Sequence, residues 1–598
     1  MKKRYLLGIA CFYHDSSACL IESGEILDAV QEERFTRIKN DSSFPTSSIK
    51  FILKKNHIKL SDIDAIIFYE KPFLKFERLL ETYLAFAPKG FQSFISSIPI
   101  WLKDKLFQKK LLFDELKKID ENFISIDKLK FSEHHLSHAA SAFYPSPFKS
   151  SSILTLDGVG EWATSTIGYG NEKNLQIIKE INFPHSIGLL YSAFTYYLGF
   201  KVNEGEYKLM GLAPYGKPKY KNIILDNLID VKSDGSYKLD MSFFDYATGL
   251  KMTNSKFNDL FNNNQRVYNE KDISVEQMNI ASSIQYVVED IILKICRNIK
   301  EETGSKNLCL AGGVALNCVA NGKIIKEKIF ENVWIQPASG DAGGSLGACL
   351  AYWHSELKED RVCSENNITD KMNGSLLGPE FSDEEIQDFL IKNDIEYKKL
   401  TNEDLYKTVS DKIIDGKAIG WFQGKMEFGP RALGNRSIIA DARSEEMQKN
   451  LNLKVKFRES FRPFAPLILE EKTKDYFDLD ETSPYMLKVA KINNNKILNE
   501  NKNKETEGFD RLNIKRSEIP AVTHVDYSAR IQTVNKIQNE RLYNLLKSFY
   551  EKTGCPILIN TSFNVNNEPI VCNLQDALCC FQKTNIDVLV LGNFLILK

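Results

Sequence analysis

The sequence lacks the features that define several classes of protein. Its eleven cysteines include no C-x-x-C pair, which argues against a disulfide framework and a thiolate zinc site and favours a reducing cytoplasm. Lysine and arginine total 78 against 79 aspartates and glutamates, a net charge of −1, so no long-range field attracts nucleic acid or an anionic membrane. No apolar run has the length of a membrane span. The 43% hydrophobic and 26% charged residues are typical of a folded globular protein.

Two distant stretches of the chain share one pattern of strands and turns. The pattern predicts three strands in each stretch, at 4–12, 18–22 and 25–32 and again at 153–156, 163–169 and 175–181. In both stretches polar residues stand just after the first strand, His14 and Asp15 in one and Asp157 in the other. The repetition predicts a duplicated α/β topology.

Two further stretches are each predicted to be a strand, a glycine turn and a helix. Gly312 and Gly313 end the first strand, and Asp341 stands in the turn that ends the second. Turn glycines permit close approach of a ligand, and the free amides at a helix start favour phosphate. Neither turn matches the Walker pattern, and any strand-to-helix turn can use glycine, so a nucleotide site and an ordinary turn both remain open here.

The histidines are few but clustered. Three of the eight in the chain lie between Glu133 and His138. His134 and His138, four residues apart, would share one helix face and could bind the same ion. The best additional ligands are Asp157 and Asp341, and a set of two imidazoles and two carboxylates suits iron, manganese or zinc better than calcium. The alternative is that these are ordinary core or surface histidines.

The second half of the sequence carries a dense cluster of cationic residues among glycine, proline and phenylalanine. These cations are Lys425, Arg431, Arg436, Lys454, Lys456, Arg458 and Arg462. Rigid apolar neighbours can hold guanidinium groups in a pocket, where they bind phosphate or carboxylate oxygens bidentately. Arg530 and the stretch 560–564 could add donors. The alternative is that the arginines lie on a solvated surface.

Eight motifs, in order, resemble the O-carbamoyltransferases of nodulation-factor and antibiotic biosynthesis. They are HDSSA at 14–18, EERFTR at 32–37, EHHLSHAASAFYPSPF at 133–148, TLDGVGEW at 155–162, NEGEYKLMGLAPYG at 203–216, GPRALGNRSI at 429–438, FRESFRPFAP at 457–466 and NTSFN at 560–564. The resemblance runs essentially from end to end of the chain. Several separated motifs in the same order are more specific than any one of them.

The resemblance implies two domains with two active sites. Residues 1–365 would form a duplicated domain of the actin and sugar-kinase type, with the ribonuclease H topology, similar to the tRNA threonylcarbamoyl-transfer protein. Residues 366–598 would form a twisted α/β domain with a basic cavity, similar to the synthase of threonylcarbamoyl adenylate. In such enzymes the second domain converts carbamoyl phosphate and ATP to carbamoyl adenylate, and the first transfers the carbamoyl group to a hydroxyl.

The resemblance also implies a role for particular residues. The metal ligands would be His134, His138, Asp157 and Asp341, binding a divalent ion that is usually Fe²⁺, with Mn²⁺ or Zn²⁺ possible and Mg²⁺ accompanying ATP. Nucleotide would contact Gly312, Gly313, Asn317 and, through phosphate, Lys39. His14 would lie near the acceptor hydroxyl as a base. Carbamoyl phosphate and the adenylate would be held by Arg431, Lys456, Arg462, Arg530, Asn560 and Ser562, with Lys456 and Arg462 also catalytic.

Two other functions remain open at this point. One is carbamoyl-type modification of a tRNA base, which the near-neutral charge disfavours, and the other is an actin-like binding module that uses nucleotide as a switch. The expected acceptor is a hydroxyl of a small molecule, a sugar or glycosylated metabolite, with no nucleic-acid or membrane partner. The sequence does not determine the acceptor or the oligomeric state.

Overall fold

The computed structural model describes residues 3–267, 272–363, 369–498 and 506–598, and the side chains of 100–106 are outside this description. The described chain divides into two compact units. The first comprises residues 1–32 and 41–371, and the second comprises residues 33–40 and 372–598. The predicted domain boundary, between residues 365 and 366, lies outside the described residues.

The first unit contains the strands β1 to β12. They are β1 (Tyr5–Ala10), β2 (Ser17–Glu22), β3 (Glu25–Gln31), β4 (Ile63–Phe68), β5 (Leu129–Phe131), β6 (Ser150–Leu156), β7 (Ala163–Asn171), β8 (Asn174–Asn182), β9 (Ile229–Val231), β10 (Tyr237–Leu239), β11 (Asn307–Ala311) and β12 (Asn332–Ile335). Two five-stranded sheets have the orders β3-β2-β1-β4-β5 and β8-β7-β6-β11-β12. In both sheets the first three strands are antiparallel neighbours and the last three are parallel. The predicted duplication and the α/β fold class are therefore confirmed.

The second unit is built on one mixed sheet. Its strands are β13 (Lys398–Lys399), β14 (Ile419–Phe422), β15 (Arg436–Asp441), β16 (Ala465–Leu469), β17 (Lys488–Lys491), β18 (Ser528–Val534), β19 (Ile557–Ser562), β20 (Val588–Leu591) and β21 (Phe594–Leu597). The order is β13-β21-β20-β14-β15-β19-β16-β18-β17. Only the β14–β20 and β16–β18 pairs are parallel among these strands.

Nineteen α-helices accompany the strands in the described residues. They are α1 (Glu33–Thr36), α2 (Thr46–Lys55), α3 (Pro72–Phe86), α4 (Phe91–Leu106), α5 (Gln108–Ile119), α6 (His134–Phe143), α7 (Ile187–Tyr197), α8 (Glu206–Leu212), α9 (Lys221–Asn227), α10 (Ser255–Leu260), α11 (Val275–Thr303), α12 (Cys318–Lys326), α13 (Ala342–Ala351), α14 (Asp383–Lys392), α15 (Asn402–Ile414), α16 (Met447–Asn450), α17 (Thr473–Tyr476), α18 (Glu540–Thr553) and α19 (Leu574–Lys583). None of them is both long enough and apolar enough to cross a bilayer.

Helix ends follow local signals in the sequence. The longest helix, α11, begins at a capping box in which the Ser274 hydroxyl accepts from the Gln277 amide and the Gln277 side chain accepts from the Ser274 amide. It ends at Gly304, whose φ of 62° is the left-handed conformation that a side chain disfavours. These signals fix the ends of the helix independently of the rest of the fold.

Helices α6 and α13 pack closely against each other in the part of the first unit that contains His134, His138 and Asp341. Both helices are buried along nearly their whole length. A Cβ atom on Gly347 would lie 1.8 Å from the carbonyl oxygen of Ser137, and one on Gly8 of β1 would lie 1.8 Å from the carbonyl oxygen of Ser345. Glycine at these two positions therefore allows α13 to lie directly against α6 and β1.

Replacing Gly347 by alanine should force α6 and α13 apart, because the clash is with backbone that cannot rotate away. We expect the free energy of unfolding to fall by about 1–3 kcal/mol, measured by urea denaturation. Gly340→Ala is the control, since a Cβ atom there would have no heavy atom within 4 Å. Equal stability of the two variants would contradict the packing described.

Candidate functional site

Four buried side chains from three separate segments converge in the first unit. His134 and His138 project from consecutive turns of α6, Asp157 follows β6 directly, and Asp341 immediately precedes α13. One ligand atom from each residue lies within 4.8 Å of those of the other three. The sequence pattern predicted this set, and the duplicated fold brings its members together.

The geometry of the four side chains suits a metal ion. The Nε2 atoms of His134 and His138 are 3.1 Å apart, and that of His134 is 3.2 Å from Asp157 Oδ2. Each of these Nε2 atoms is 3.6 Å from Asp341 Oδ1. Two imidazoles cannot both point a proton at each other, whereas two nitrogen lone pairs and two carboxylate oxygens can share one divalent cation. The donor set therefore fits the metal that the sequence predicted.

The electrostatics of the site favour positive charge at its centre. Burial alone would lower the pKa of His134, but the Asp341 and Asp157 carboxylates outweigh it and raise that pKa to about 9. Burial opposes ionisation of Asp341, yet His14 and His134 hold its pKa below its usual range. Two carboxylates so close together in a buried site need a compensating cation, supplied either by protons on the imidazoles or by a metal.

The third histidine of the cluster has a different environment. Burial, with a smaller contribution from the neighbouring imidazoles, lowers the pKa of His135 to about 3. Its Nδ1 atom is 2.7 Å from the Thr155 hydroxyl, which in turn contacts the Thr166 hydroxyl. His135 is therefore a neutral residue of the core. For this histidine the alternative stated above, an ordinary core residue, is the one that fits.

His14 lies at the edge of the four-residue cluster. Its Nε2 atom is 3.7 Å from Asp341 Oδ2, and its Nδ1 atom is 3.1 Å from Asp15 Oδ2. Burial alone would lower the pKa of His14, but the Asp341 and Asp15 carboxylates outweigh burial and raise that pKa to about 9. The backbone carries strain on both sides of this histidine, with φ of 73° at Phe12 and 53° at Asp15. The turn thus holds an imidazole at a fixed place beside Asp341.

The predicted nucleotide residues of the first unit stand in the turn after β11. Gly312 has a φ of 87°, and a Cβ atom there would lie 2.2 Å from the carbonyl oxygen of Leu156. The Gly313 amide donates to Asp157 Oδ1 at 2.8 Å, which links this turn to the metal cluster. The Asn317 side chain accepts from the Ala320 amide and contacts Gln285, so it caps α12.

In the second unit, Lys456 is a deeply buried member of the predicted phosphate-binding set, with 2% of its surface exposed. It follows a π-helical turn, Leu451–Val455. Its Nζ atom donates to the carbonyl oxygens of Ser562 and Asn564 at 2.7 and 2.9 Å, and to both of their side-chain oxygens. Burial lowers the pKa of Lys456, and the positive charges of Arg458, Arg462 and Lys39 lower it further. Lys39, which belongs to the second unit, is thus near Lys456.

Three more of the predicted residues lie on one face of the sheet. Asn560 Nδ2 donates to the Gln532 side chain at 2.6 Å and to the carbonyl oxygen of Ala432 at 3.0 Å. Side chains two residues apart on a strand share a face, so Ser562 lies on the face of Asn560, and Arg530 lies on the face of Gln532. Arg431 adjoins the Ala432 carbonyl. The contacts therefore bring Arg530, Asn560 and Ser562 to the side of the sheet where Lys456 is bound.

Arg436, which the sequence grouped with the ligands of anions, is instead a structural residue. Its side chain is fully buried, and its guanidinium donates to the carbonyl oxygens of Gln423, Gly424, Asn435 and Pro379. The guanidinium carbon lies 3.7 Å from the centre of the Phe422 ring. Its Nη1 and Nη2 atoms donate to backbone carbonyls, so the prediction that this arginine binds an anion is wrong.

Sequence reasoning missed the supporting residue Glu161. The Glu161 carboxylate accepts from the backbone amides of His134 and Lys71 at 3.0 and 2.7 Å, which fixes the start of α6. Burial raises its pKa. The residue falls inside the motif TLDGVGEW, but its spacing gave no sign of which backbone it would meet.

Comparison with known proteins gives a consistent family. The model described as "Carbamoyltransferase N-terminus" matches residues 5–350, and "Carbamoyltransferase C-terminus" matches residues 410–598. The chain is 54% identical to "Uncharacterized protein sll1178" of Synechocystis sp. over 99% of this chain and 97% of that protein. It is 36% identical to "Nodulation protein NolNO" of Sinorhizobium fredii over 98% of this chain and 79% of that protein.

Among solved structures, component A of the Acidaminococcus fermentans (R)-2-hydroxyglutaryl-CoA dehydratase matches 59% of this chain and 99% of its own, with 15% identity and a TM-score of 0.31. The two family models together cover most of the sequence, in the same order as the two compact units. The chain therefore belongs to the carbamoyltransferase family and is a carbamoyl-transferring enzyme.

Proposed function

We propose that the protein is an ATP-dependent O-carbamoyltransferase that forms carbamoyl adenylate and transfers its carbamoyl group to a hydroxyl of a small molecule. In the balanced reaction, water and carbamoyl phosphate give carbamate and inorganic phosphate. The carbamate oxygen then attacks the α-phosphorus of ATP, and pyrophosphate leaves. When the acceptor oxygen attacks the carbamoyl carbon, AMP leaves and the hydroxyl proton is lost.

The observation that carries this proposal is the concentration of positive charge around Lys456. The four oxygens to which its ammonium donates are neutral, and Arg458, Arg462 and Lys39 add positive charge nearby. Such a group of cations favours a ligand with several negative oxygens. We assign carbamoyl phosphate, and then the adenylate, to Arg431, Lys456, Arg462, Arg530, Asn560 and Ser562, with Lys39 on a phosphate. Fixed cations stabilise the charge that develops on phosphate oxygens during both steps.

We assign carbamoyl transfer to the cluster in the first unit. His134, His138, Asp157 and Asp341 would hold a divalent ion, for which we propose Fe²⁺ with Mn²⁺ or Zn²⁺ as alternatives. When bound, the ion supplies a Lewis acid that offsets negative charge on phosphate oxygens. The neutral form of His14, which becomes more populated as the pH approaches 9, accepts the acceptor's hydroxyl proton at Nε2, and Asp15 orients the ring through Nδ1. Asp157 also fixes the amide of Gly313, and we propose that Gly312, Gly313 and Asn317 line the nucleotide, with Mg²⁺ accompanying ATP.

We propose that the acceptor is a sugar or a glycosylated metabolite. The balanced charge of the chain, −1 overall, offers no electrostatic basis for a nucleic-acid acceptor. Screening purified glycosides by mass spectrometry for the mass of an added carbamoyl group would identify the acceptor class.

Incubation with ATP and carbamoyl phosphate tests the overall reaction. Formation of carbamoyl adenylate should release pyrophosphate, whereas a nucleotide-driven switch would release ADP and phosphate. We expect pyrophosphate, and later AMP, by ion-exchange chromatography. Production of ADP alone would reject the proposed function.

The variant Arg462→Ala should lose pyrophosphate release by about 100-fold or more, since it removes a phosphate donor and one of the charges around Lys456. Metal content, measured by plasma mass spectrometry, should not change. Arg443→Ala is the matched control, because this arginine of the second unit pairs with Asp441 at 2.7 Å. Persistent adenylate synthesis in Arg462→Ala would contradict the assignment.

The variant His138→Ala should lose metal and carbamoyl transfer but keep pyrophosphate release, the reverse of Arg462→Ala. Removing one of two imidazole ligands should lower the metal content to below about half of that of the parent, and carbamoyl transfer should fall with it. Pyrophosphate release should persist. The control is His57→Asn, because His57 has a φ of 54° that asparagine tolerates. Parental transfer and full metal content in His138→Ala would show that the metal site is assigned wrongly.

A further inference from the structure

Eight residues from the first part of the chain are built into the second unit. We call Glu33–Asn40 the crossover segment, because the residues on either side of it belong to the first unit. Arg34 donates to the carbonyl oxygen of Gly429 at 2.7 Å and pairs with Glu33 at 2.8 Å. Phe35 packs against the hydrophobic cluster of Met426, Ala432, Ile570 and Cys572. The crossover segment therefore forms part of the core of the second unit.

Arg37 makes the most specific contacts of this segment. Its Nη1 and Nη2 atoms donate to the carbonyl oxygens of Ile570 and Pro569 at 2.6 and 2.7 Å. Its Nε atom lies 3.7 Å from Asp576 Oδ1. A planar guanidinium holds two consecutive carbonyls with two nitrogens of one rigid fork, whereas an ammonium presents a single nitrogen and fixes them less precisely. Arg37 has a φ of 60°, a strained conformation for a residue with a side chain that persists only where contacts enforce it.

The carbonyls that Arg37 holds end the loop 563–571, which begins beside Lys456. The Val571 amide donates to the carbonyl oxygen of Phe563 at 2.9 Å and closes the loop. Near its start, Asn564 accepts from Lys456 Nζ, and the Asn566 amide donates to the carbonyl oxygen of Lys456 at 3.0 Å. Asn564 Nδ2 donates to the carbonyl oxygen of Glu568 at 2.7 Å. One short loop is thus fixed by Arg37 at its end and binds Lys456 at its start.

We propose that Arg37 is a positioning residue for the adenylate-forming reaction, because it fixes the loop 563–571 and through it the ammonium group of Lys456. This inference rests on the proposed function. Arg37 does not itself bind substrate. It acts on the distance between Lys456 and the substrate's oxygens, and a misplacement of about 1 Å in such a group can cost about 100-fold in rate. Adenylate formation in the second half of the chain would then depend on a residue from the first.

The experiment compares Arg37→Ala, Arg37→Lys and Arg443→Ala in the full-length protein, with ATP and carbamoyl phosphate as substrates. Arg443 is a matched control, since its side chain is 35% exposed and paired with Asp441, while that of Arg37 is 27% exposed and faces Asp576. For Arg37→Ala we expect kcat/KM for carbamoyl phosphate, measured by pyrophosphate release, to fall by about 100-fold while KM for ATP changes less than about twofold. For Arg37→Lys we expect kcat/KM for carbamoyl phosphate to be about tenfold higher than for Arg37→Ala. For Arg443→Ala we expect kcat/KM to equal that of the parent.

Amide hydrogen exchange provides a readout that does not depend on catalysis. In Arg37→Ala, exchange should accelerate in the peptide 563–571, which contains the Asn566 and Val571 amides, while the other strands of the second unit keep the parent's protection. Exchange that accelerates throughout the unit, together with an equal loss of ATP binding, would show a merely structural role and overturn the inference.

Failure of this inference can be distinguished from failure of the proposed function. If the parent releases pyrophosphate but Arg37→Ala does so with unchanged kcat/KM, the positioning role alone is rejected. If the parent protein releases no pyrophosphate from ATP and carbamoyl phosphate, the proposed function is rejected and this inference with it.

Discussion

The structure of the first unit depends on the convergence of two imidazoles and two carboxylates at one buried point. Burying Asp157 and Asp341 so close together is costly unless positive charge accompanies them. The fold meets this requirement with the histidines on successive turns of α6, which face Asp341 at the start of α13. The absence of a side chain at Gly347 allows α6 and α13 to lie in direct contact. The packing of these two helices therefore also sets the positions of the metal-ligating side chains. The Glu161 carboxylate, by binding the amide of His134, fixes the same helix start.

The buried charge in the second unit has the opposite sign from that in the first. There the buried charge is an ammonium, and the groups that hold it are neutral carbonyl, hydroxyl and amide oxygens. Neighbouring cations lower the pKa of Lys456 instead of compensating its charge. A site of this kind is stabilised by an anionic ligand, whereas the site of the first unit is stabilised by a cation. The two half-reactions that we propose for this carbamoyltransferase need these two environments.

Much of this organisation could be predicted from local signals. Alternation of apolar residues and turn residues predicted both three-stranded meanders, and the i,i+4 histidines predicted their shared helix face. Buried arginines could not be sorted in this way. Arg436 and Arg431 stand five residues apart in the same motif, yet the guanidinium of Arg436 is occupied mainly by carbonyl oxygens distant in sequence, those of Gln423, Gly424 and Pro379. Nor did any local pattern show that residues 33–40 belong to the second unit, because that association arises from tertiary contacts such as that of Arg34 with Gly429.

The most direct measurement is anomalous X-ray diffraction from crystals of the purified protein, recorded on both sides of the absorption edges of iron, manganese and zinc. The account predicts one strong anomalous peak per chain, at about 2.0–2.2 Å from Nε2 of His134, Nε2 of His138 and a carboxylate oxygen of each aspartate. Absence of a peak among these four side chains, in crystals of protein that transfers carbamoyl groups without added metal, would contradict it.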